Sequence, residues 1–288
     1  MKKEKKVTIL DRLLSECIFK DKKEALSWIM MRKVYVNGEL VLTGGQKVYR
    51  NDSIKIKGYN QKYVNKGGLK LEGALKDFSI DVSNKVAIDI GASTGGFTDC
   101  LIQFGARKVY AVDVGFGQLS GKLLQNPNVV NMEKTNISDA RLLELSEKPE
   151  IATLDLSYLS LRKAIPICAD IMNKKGIIIG LVKPIYEVES SEIRRNGEIN
   201  DKQVFYDILT KLVDYINLTL GYNVFGITYS PVRGNKGTIE FFIGVSLDDS
   251  RPRKTTEEIK SEITYSRDKG WMLDEFDKSF GNYEVTSI

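Results

Sequence analysis

A mostly parallel, doubly wound α/β sheet, preceded by a small α+β module, is the fold class that this 288-residue sequence predicts. Three observations lead there. From residue 85 onward, short Val- and Ile-rich runs alternate with amphipathic segments, the pattern of strands joined by crossover helices. The run V-A-I-D-I at residues 86–90 enters a glycine-rich bend, G-A-S-T-G-G, and an amphipathic segment starts at Phe97. Charge also divides the chain. Residues 1–60 carry 14 Lys/Arg against 7 Asp/Glu, whereas the whole chain carries 43 against 38. A small basic module ahead of a near-neutral body points to a polyanionic partner for the first part rather than a merely solvated lysine face.

Composition narrows the classes further. A hydrophobic content of 42% supports a real core, and 28% charged residues is ordinary for a soluble protein. No apolar stretch reaches the roughly 18–20 residues needed to cross a bilayer. The opening M-K-K-E-K-K has no apolar run behind it and does not read as a secretory signal. The three cysteines, Cys17, Cys100 and Cys168, are far apart and odd in number, so neither a disulfide framework nor a metal cluster is expected. That usage suits a reducing cytoplasm. Histidine is absent, which removes Ser-His and Cys-His mechanisms and makes a zinc site unexpected.

Taken in order, residues 1–8 read as a mobile lysine-rich lead. Leu10, Leu13, Leu14 and Cys17 recur at helical spacing. So do Ala25, Leu26, Ile29 and Met30, after Asp21 as an N-cap. Val34 and Val36 alternate with polar neighbours, and Asn37-Gly38 is a strong hairpin signal. A last strand is expected over residues 48–56, with a turn at Asn51-Asp52. Two helices and an N-G hairpin in a basic module resemble the small S-four-like RNA-binding domain of a ribosomal protein and several RNA-modifying enzymes. The likeness covers about residues 9–57, and V-Y-V-N-G is its most specific part. It implies phosphate contacts from Arg12, Lys22, Lys23, Arg32 and Lys33. This chain departs from the pattern in having Asp21-Lys22 or Lys22-Lys23 for the usual Ser-Arg, and Arg32 or Lys33 for the usual glycine.

Residues 58–64 read as a polar linker. Lys70, Leu71, Ala74, Leu75 and Phe78 then have helical spacing, with Gly67-Gly68 as the entry. Strands are expected at 85–90, 108–113, 129–132, 151–154 and 176–182, with helices at 94–104, 119–124, 164–172 and 203–216. A polar loop fills 187–200. Late strands at 222–229 and 238–245 lie close enough to pair antiparallel. A mostly parallel sheet with one reversed strand near its end is the methyltransferase variant of the doubly wound fold. Residues 251–288 are rich in charge, with a helix at 255–263 and no assigned role. The domains expected are thus 1–60, 61–250 and a 251–288 extension.

Ligands of such sheets sit beyond the carboxyl ends of the strands. Four polar stations fall there. The first is Asp89 with Gly91, Ser93, Gly95, Gly96 and Phe97, where glycine lets backbone and ligand approach closely. The spacing is not the G-x-G-x-x-G of dinucleotide enzymes. A carboxylate, small residues and G-G-F suit a zwitterion without phosphates, and S-adenosylmethionine is the obvious candidate. The second is Asp113, placed to accept from a ribose diol. The third is E-K-T-N at 133–136, where Asn136 and backbone groups could bracket an adenine. The fourth joins D-L-S-Y-L-S-L from Asp155 to K-P-I-Y-E from Lys183. Methylating a hydroxyl oxygen needs a base within hydrogen-bond reach. A lysine serves when its neighbours favour the neutral amine. Lys70 could be the positive neighbour, Asp155 could orient the pair, and Glu240 in G-T-I-E-F-F faces the same edge.

N-K-G-G-L-K-L, D-I-G-A-S-T-G-G-F-T-D, V-D-V-G-F-G-Q-L, D-L-S-Y-L-S-L, L-V-K-P and K-G-T-I-E-F together resemble the TlyA family of rRNA 2′-O-methyltransferases, relatives of the FtsJ-type enzymes. With the N-terminal module the likeness spans about residues 9–247. It implies that Lys70, Asp155, Lys183 and Glu240 are catalytic. It also implies that residues 91–97 with Asp113 hold S-adenosylmethionine, and that the substrate is a cytidine ribose in ribosomal RNA of one or both subunits. Lys134 and Lys66 stand where members usually carry arginine, K-P-I-Y-E replaces the frequent K-P-Q-F-E, and the linker lacks the family's tryptophan-containing hinge. Members are often labelled hemolysins. A lytic reading requires an amphipathic or spanning segment, and none is evident. An RNA-binding protein with an inactive methyltransferase domain is the other reading, opposed by all four catalytic positions being filled.

Overall fold

The computed structural model describes residues 6–16, 18–19, 21–49, 52–58, 62–234, 237–248 and 250–273. The chain forms two compact units, one built on Met1–Lys62 and one on Tyr63–Met272.

The first unit contains β1 (Val7–Thr8), α1 (Ile9–Ser15), α2 (Lys22–Met30), β2 (Val34–Val36), β3 (Glu39–Leu40), β4 (Lys47–Val48) and β5 (Ile54–Ile56). Side chains start both helices: Thr8 accepts from the Asp11 N–H, and Asp21 accepts from the Glu24 N–H. Their apolar faces meet in a core of Ile9, Leu13, Ala25, Ile29, Val34, Val36 and Val48. Asn37 and Gly38 turn the hairpin at φ of 50° and 86°, the positive pair such a two-residue turn needs. Two expectations change here. The N-terminal lead contributes β1, which pairs with β4. The single strand expected over 48–56 is two strands, with β5 pairing instead with β2. Asp52 separates them, because its carboxylate accepts from the Tyr49 N–H and from the Asn37 side-chain amide. Cys17 and Asn51 lie outside the described residues.

The second unit contains α3 (Gly67–Asp77), β6 (Val86–Ile90), α4 (Gly96–Gln103), β7 (Lys108–Val112), α5 (Gly121–Leu124), β8 (Val129–Met132), a 3₁₀ turn (Ala140–Glu144), β9 (Ile151–Leu154) and α6 (Leu161–Ile171). It continues with β10 (Ile177–Val182), α7 (Pro184–Glu187), α8 (Ser191–Asn196), α9 (Lys202–Asp214), a π-helical turn (Tyr215–Thr219), β11 (Asn223–Tyr229), β12 (Phe241–Ser246) and α10 (Thr256–Met272). The seven strands lie in the order β11-β12-β10-β9-β6-β7-β8. All neighbours are parallel except β12, which is antiparallel to both β10 and β11. This is the doubly wound sheet with a late reversed strand.

Successive strand residues point to opposite faces, and both faces are covered. Ile88, Ile178 and Phe241 pack on one side with α6 and α9. Ala87, Ile179 and Phe242 pack on the other with α3 and α4. Burial on both faces is why these strands read as unbroken apolar runs. Residues 187–200 are not one loop: α7 ends there and α8 follows, each too short to show a period. The helix expected at 255–263 runs on to Met272.

Candidate active site

The sheet order sets the parallel strands' C-terminal ends in a row. Val182 of β10 pairs with Phe241 of β12, so Lys183 and Glu240 are the next residues on neighbouring strands at the same edge. Leu154 of β9 pairs with Ile90 of β6, and the Asp155 N–H donates to the Ile90 carbonyl at 3.0 Å. Asp155 therefore stands between Lys183 and the loop after β6.

Two lysine–carboxylate pairs occupy this edge. Lys70, from α3, ion-pairs with Glu240, and both side chains are almost fully buried. Lys183 Nζ lies 2.6 Å from Asp155 Oδ1, with side chains 17% and 25% exposed. That contact lacks hydrogen-bond alignment, so the buried Oδ1 has no hydrogen-bond donor. Lys183 Nζ instead donates to Ser157 Oγ at 3.3 Å.

The loop after β6 is held by the chain's own neighbours. Gly91, at φ +93°, would place a Cβ 2.3 Å from the Asp155 carbonyl oxygen. Gly95 opens α4 at φ +98°, and a Cβ there would strike Leu123. A Cβ on Gly96 would meet the Asn65 side chain. The need for glycine thus comes from packing within the protein rather than from a ligand's approach. Asp89 is fully buried and accepts from Thr98 Oγ1 at 2.6 Å and Thr153 Oγ1 at 2.9 Å. It braces the loop from beneath instead of facing a ligand, and burial pushes its acid constant up to about 6. The Phe97 side chain is likewise core, 6.0 Å from the Phe242 ring, and only its backbone reaches the loop surface.

Asp113 is half-buried, and its two oxygens accept from the Ser93 and Gly115 N–H groups. Ser93 itself is exposed, at φ +51°. Asn136 is exposed, but its amide oxygen accepts from Ser138 N and Oγ, an Asx turn within its own loop. Beside it Glu133 accepts from the Gln118 and Leu119 N–H groups, and the Gln118 bond first of all draws its acid constant down to about 2.

In the N-terminal unit Lys22, Lys23 and Arg32 are exposed and Lys33 is half-buried. Arg12 is different: it is 8% exposed, and its guanidinium donates to Glu16 and to the Tyr49 carbonyl. It ties α1 to the strand region, which corrects its reading as a phosphate contact.

Three residues at the large unit's edge escaped the sequence reading. Asn65 donates to Thr94 and accepts from the Gly67 N–H, linking the start of α3 to the glycine loop. Tyr158 is 89% exposed at φ +67°, its ring 5.4 Å from that of Tyr186. Glu187 is buried and reaches the start of α6. The one available signal was Tyr158, a bulky residue inside the D-L-S-Y motif. A separate cleft of about 470 Å³, lined by Phe78, Phe225, Arg251 and Tyr265 among others, shares no residue with these stations. Among the described residues no helix is long and apolar enough to cross a membrane.

Comparison with known proteins matches residues 63–247 to the FtsJ-like methyltransferase family model. The chain is 37% identical over 228 residues to Hemolysin A of Brachyspira hyodysenteriae, covering 79% of this chain and 94% of that one. It is 33% identical over 189 residues to the 16S/23S rRNA (cytidine-2′-O)-methyltransferase TlyA of Mycobacterium tuberculosis, covering 66% and 70%. A solved structure from Streptococcus thermophilus, provisionally named a hemolysin, superposes with a TM-score of 0.72 at 33% identity over 96% of this chain and 99% of that one. The reversed β12, the filled strand-end stations and these matches agree: the chain belongs to the FtsJ-like methyltransferase family, with TlyA among its relatives.

Proposed function

We propose that this protein transfers a methyl group from S-adenosylmethionine to a ribose 2′-oxygen of ribosomal RNA, by the TlyA likeness a cytidine ribose. The observation that carries the reading is the pair of lysine–carboxylate contacts, Lys70 with Glu240 and Lys183 with Asp155, at one sheet edge beside a glycine loop. A hydroxyl-directed methyltransferase needs a base there, fixed charges around it, and no histidine.

The residues present suit the methyl donor. The start of α4 offers the positive end of a helix dipole to a carboxylate. Asp155 Oδ1 is a buried acceptor without a hydrogen-bond donor. In this reading Gly91, Ser93, Gly95, Gly96 and the Phe97 backbone cradle the amino-acid end. Asp113 faces the ribose hydroxyls and Asn136 the adenine, while Asp89 supports the loop. When bound, S-adenosylmethionine supplies a methyl group on a positively charged sulfur. Lys183, as the neutral amine, takes the 2′-hydroxyl proton, and Asp155 orients it. Lys70 and Glu240 fix the charge around the oxygen. Positioning carries most of the rate. Lys22, Lys23, Arg32 and Lys33 contact phosphates, and Tyr158 offers a ring face on which an unstacked base can rest. The substrate places the reaction in the cytoplasm.

The test is transfer from labelled S-adenosylmethionine to unmethylated ribosomal subunits, followed by mapping of the ribose. Lys183→Ala is expected to abolish transfer and to leave cofactor affinity within about threefold. Full activity in that variant would sink the assignment.

A further inference from the structure

Asp155 and Lys183 sit on separate loops, one after β9 and one after β10, and strand pairing ends before either. Something must hold the two loops in register. We propose that Glu187 is a positioning residue that clasps the two loops and thereby sets Lys183 against Asp155. The proposal rests on the roles given above to that pair.

Glu187 closes α7, a single turn that begins directly after Lys183. Pro184 occupies its first position and presets the backbone. The Tyr186 N–H donates to the Lys183 carbonyl at 2.9 Å, so Lys183 and Glu187 move as one short rigid piece. The Glu187 carboxylate leaves its own loop and caps the other. Oε1 accepts from the Leu161 N–H at 2.6 Å, and Oε2 accepts from Ser160 Oγ at 2.6 Å. Ser160 is the N-cap of α6, so a carboxylate there also meets the favourable end of that helix. Arg162 Nε approaches Oε2 at 4.0 Å.

The two loops are therefore joined at three points. Lys183 meets Asp155 and Ser157 at one end, Tyr186 meets Tyr158 in the middle, and Glu187 meets Ser160 and Leu161 at the other end. The first two contacts are at least partly exposed. Glu187 is 7% exposed and makes the buried one. The loop it holds carries Tyr158 in a left-handed conformation, which persists only where surrounding contacts fix it. A helix cap alone would need no partner from the lysine's own turn. This arrangement puts the cap four residues from one reacting group and five from the other.

The experiment uses the full chain and the variants Glu187→Ala, Glu187→Gln and Ser160→Ala. Two readouts are taken. One is kcat and KM for methyl transfer to unmethylated ribosomal subunits, with cofactor Kd. The other needs no substrate: competitive acetic anhydride labelling, read by peptide mass spectrometry, reports Lys183 reactivity against exposed Lys175. In Glu187→Ala, kcat should fall on the order of 10- to 100-fold with KM and cofactor Kd nearly unchanged. Lys183 labelling should rise several-fold in the same variant. Glu187→Gln keeps an acceptor for the Leu161 N–H and a group facing Ser160, so it should restore kcat to within about threefold. Ser160→Ala should fall between the two.

A Glu187→Ala protein that melts lower but keeps wild-type kcat and Lys183 labelling would overturn the clasp and leave a structural cap. Faster labelling with unchanged kcat would overturn it as well. Were wild-type protein inactive on ribosomal RNA, the proposed function would fall, and the labelling comparison would still decide whether Glu187 holds Lys183.

Discussion

Two ion pairs of the same chemistry behave differently at the residue scale because their surroundings differ. Lys70–Glu240 is nearly dry, whereas Lys183–Asp155 keeps partial solvent contact. Removing one partner of a buried pair strands the other charge and costs about 3–5 kcal/mol, while an exposed pair contributes within about 1 kcal/mol. Lys70→Ala is therefore expected to lower both stability and transfer. Lys183→Ala should lose transfer with a small stability change, and urea unfolding of the two variants separates the cases. Asp89 gives a pH prediction. Its ordinary value is 3.8 and burial lifts it to about 6 in the fold. Below the unfolded value both states are protonated, and the stability it confers is fully present. As pH rises toward and through the folded value, the unfolded chain ionises first and stability falls, by about 3 kcal/mol. Asp89→Asn should flatten the difference between unfolding midpoints at pH 4 and pH 7. Lys70, Asp155, Lys183 and Glu240 were legible as residue types in motifs. That Asp89, Phe97 and Arg12 turn inward was not, because burial depends on what folds over them.

At the scale of elements, β11 is an edge strand, and edges invite unwanted pairing. The C-terminal segment covers it. Glu262 of α10 accepts from the Ile227 N–H, and Ser266 donates to the Ile227 carbonyl. Asn223 donates to the Arg251 and Pro252 carbonyls. Ending the chain at residue 250 should expose this edge and lower the aggregation temperature seen by light scattering. Unchanged scattering would remove that role from the segment. The strands at 129–132 and 151–154 were legible to the residue because buried apolar runs and flanking turns mark both ends. The turns α7 and α8 were hidden by their length, and α10 by its mostly polar surface, since a period needs several turns to emerge.

At the scale of the molecule, the two compact units divide at Lys62–Tyr63. The family match begins at residue 63, and the cofactor stations all follow it. Deleting residues 1–62 should leave cofactor affinity unchanged. RNA affinity should fall about tenfold or more, and its salt dependence should become shallower as the Lys22, Lys23, Arg32 and Lys33 contacts are lost. Filter binding across a salt series reads both effects, and an unchanged RNA affinity would refute the module's role.

The sequence by itself determined the strand–helix alternation, the reversed late strand, the basic first module and the residue types that act. Each of these is written in local periodicity, turn chemistry or composition, which need no partner to be read. Only the tertiary structure decided which carboxylate pairs with which lysine and why the loop needs its glycines. It also decided that Glu187 crosses from one loop to cap another. Those outcomes rest on contacts between residues far apart in the chain, such as Lys70 and Glu240, and no local pattern encodes such a distance.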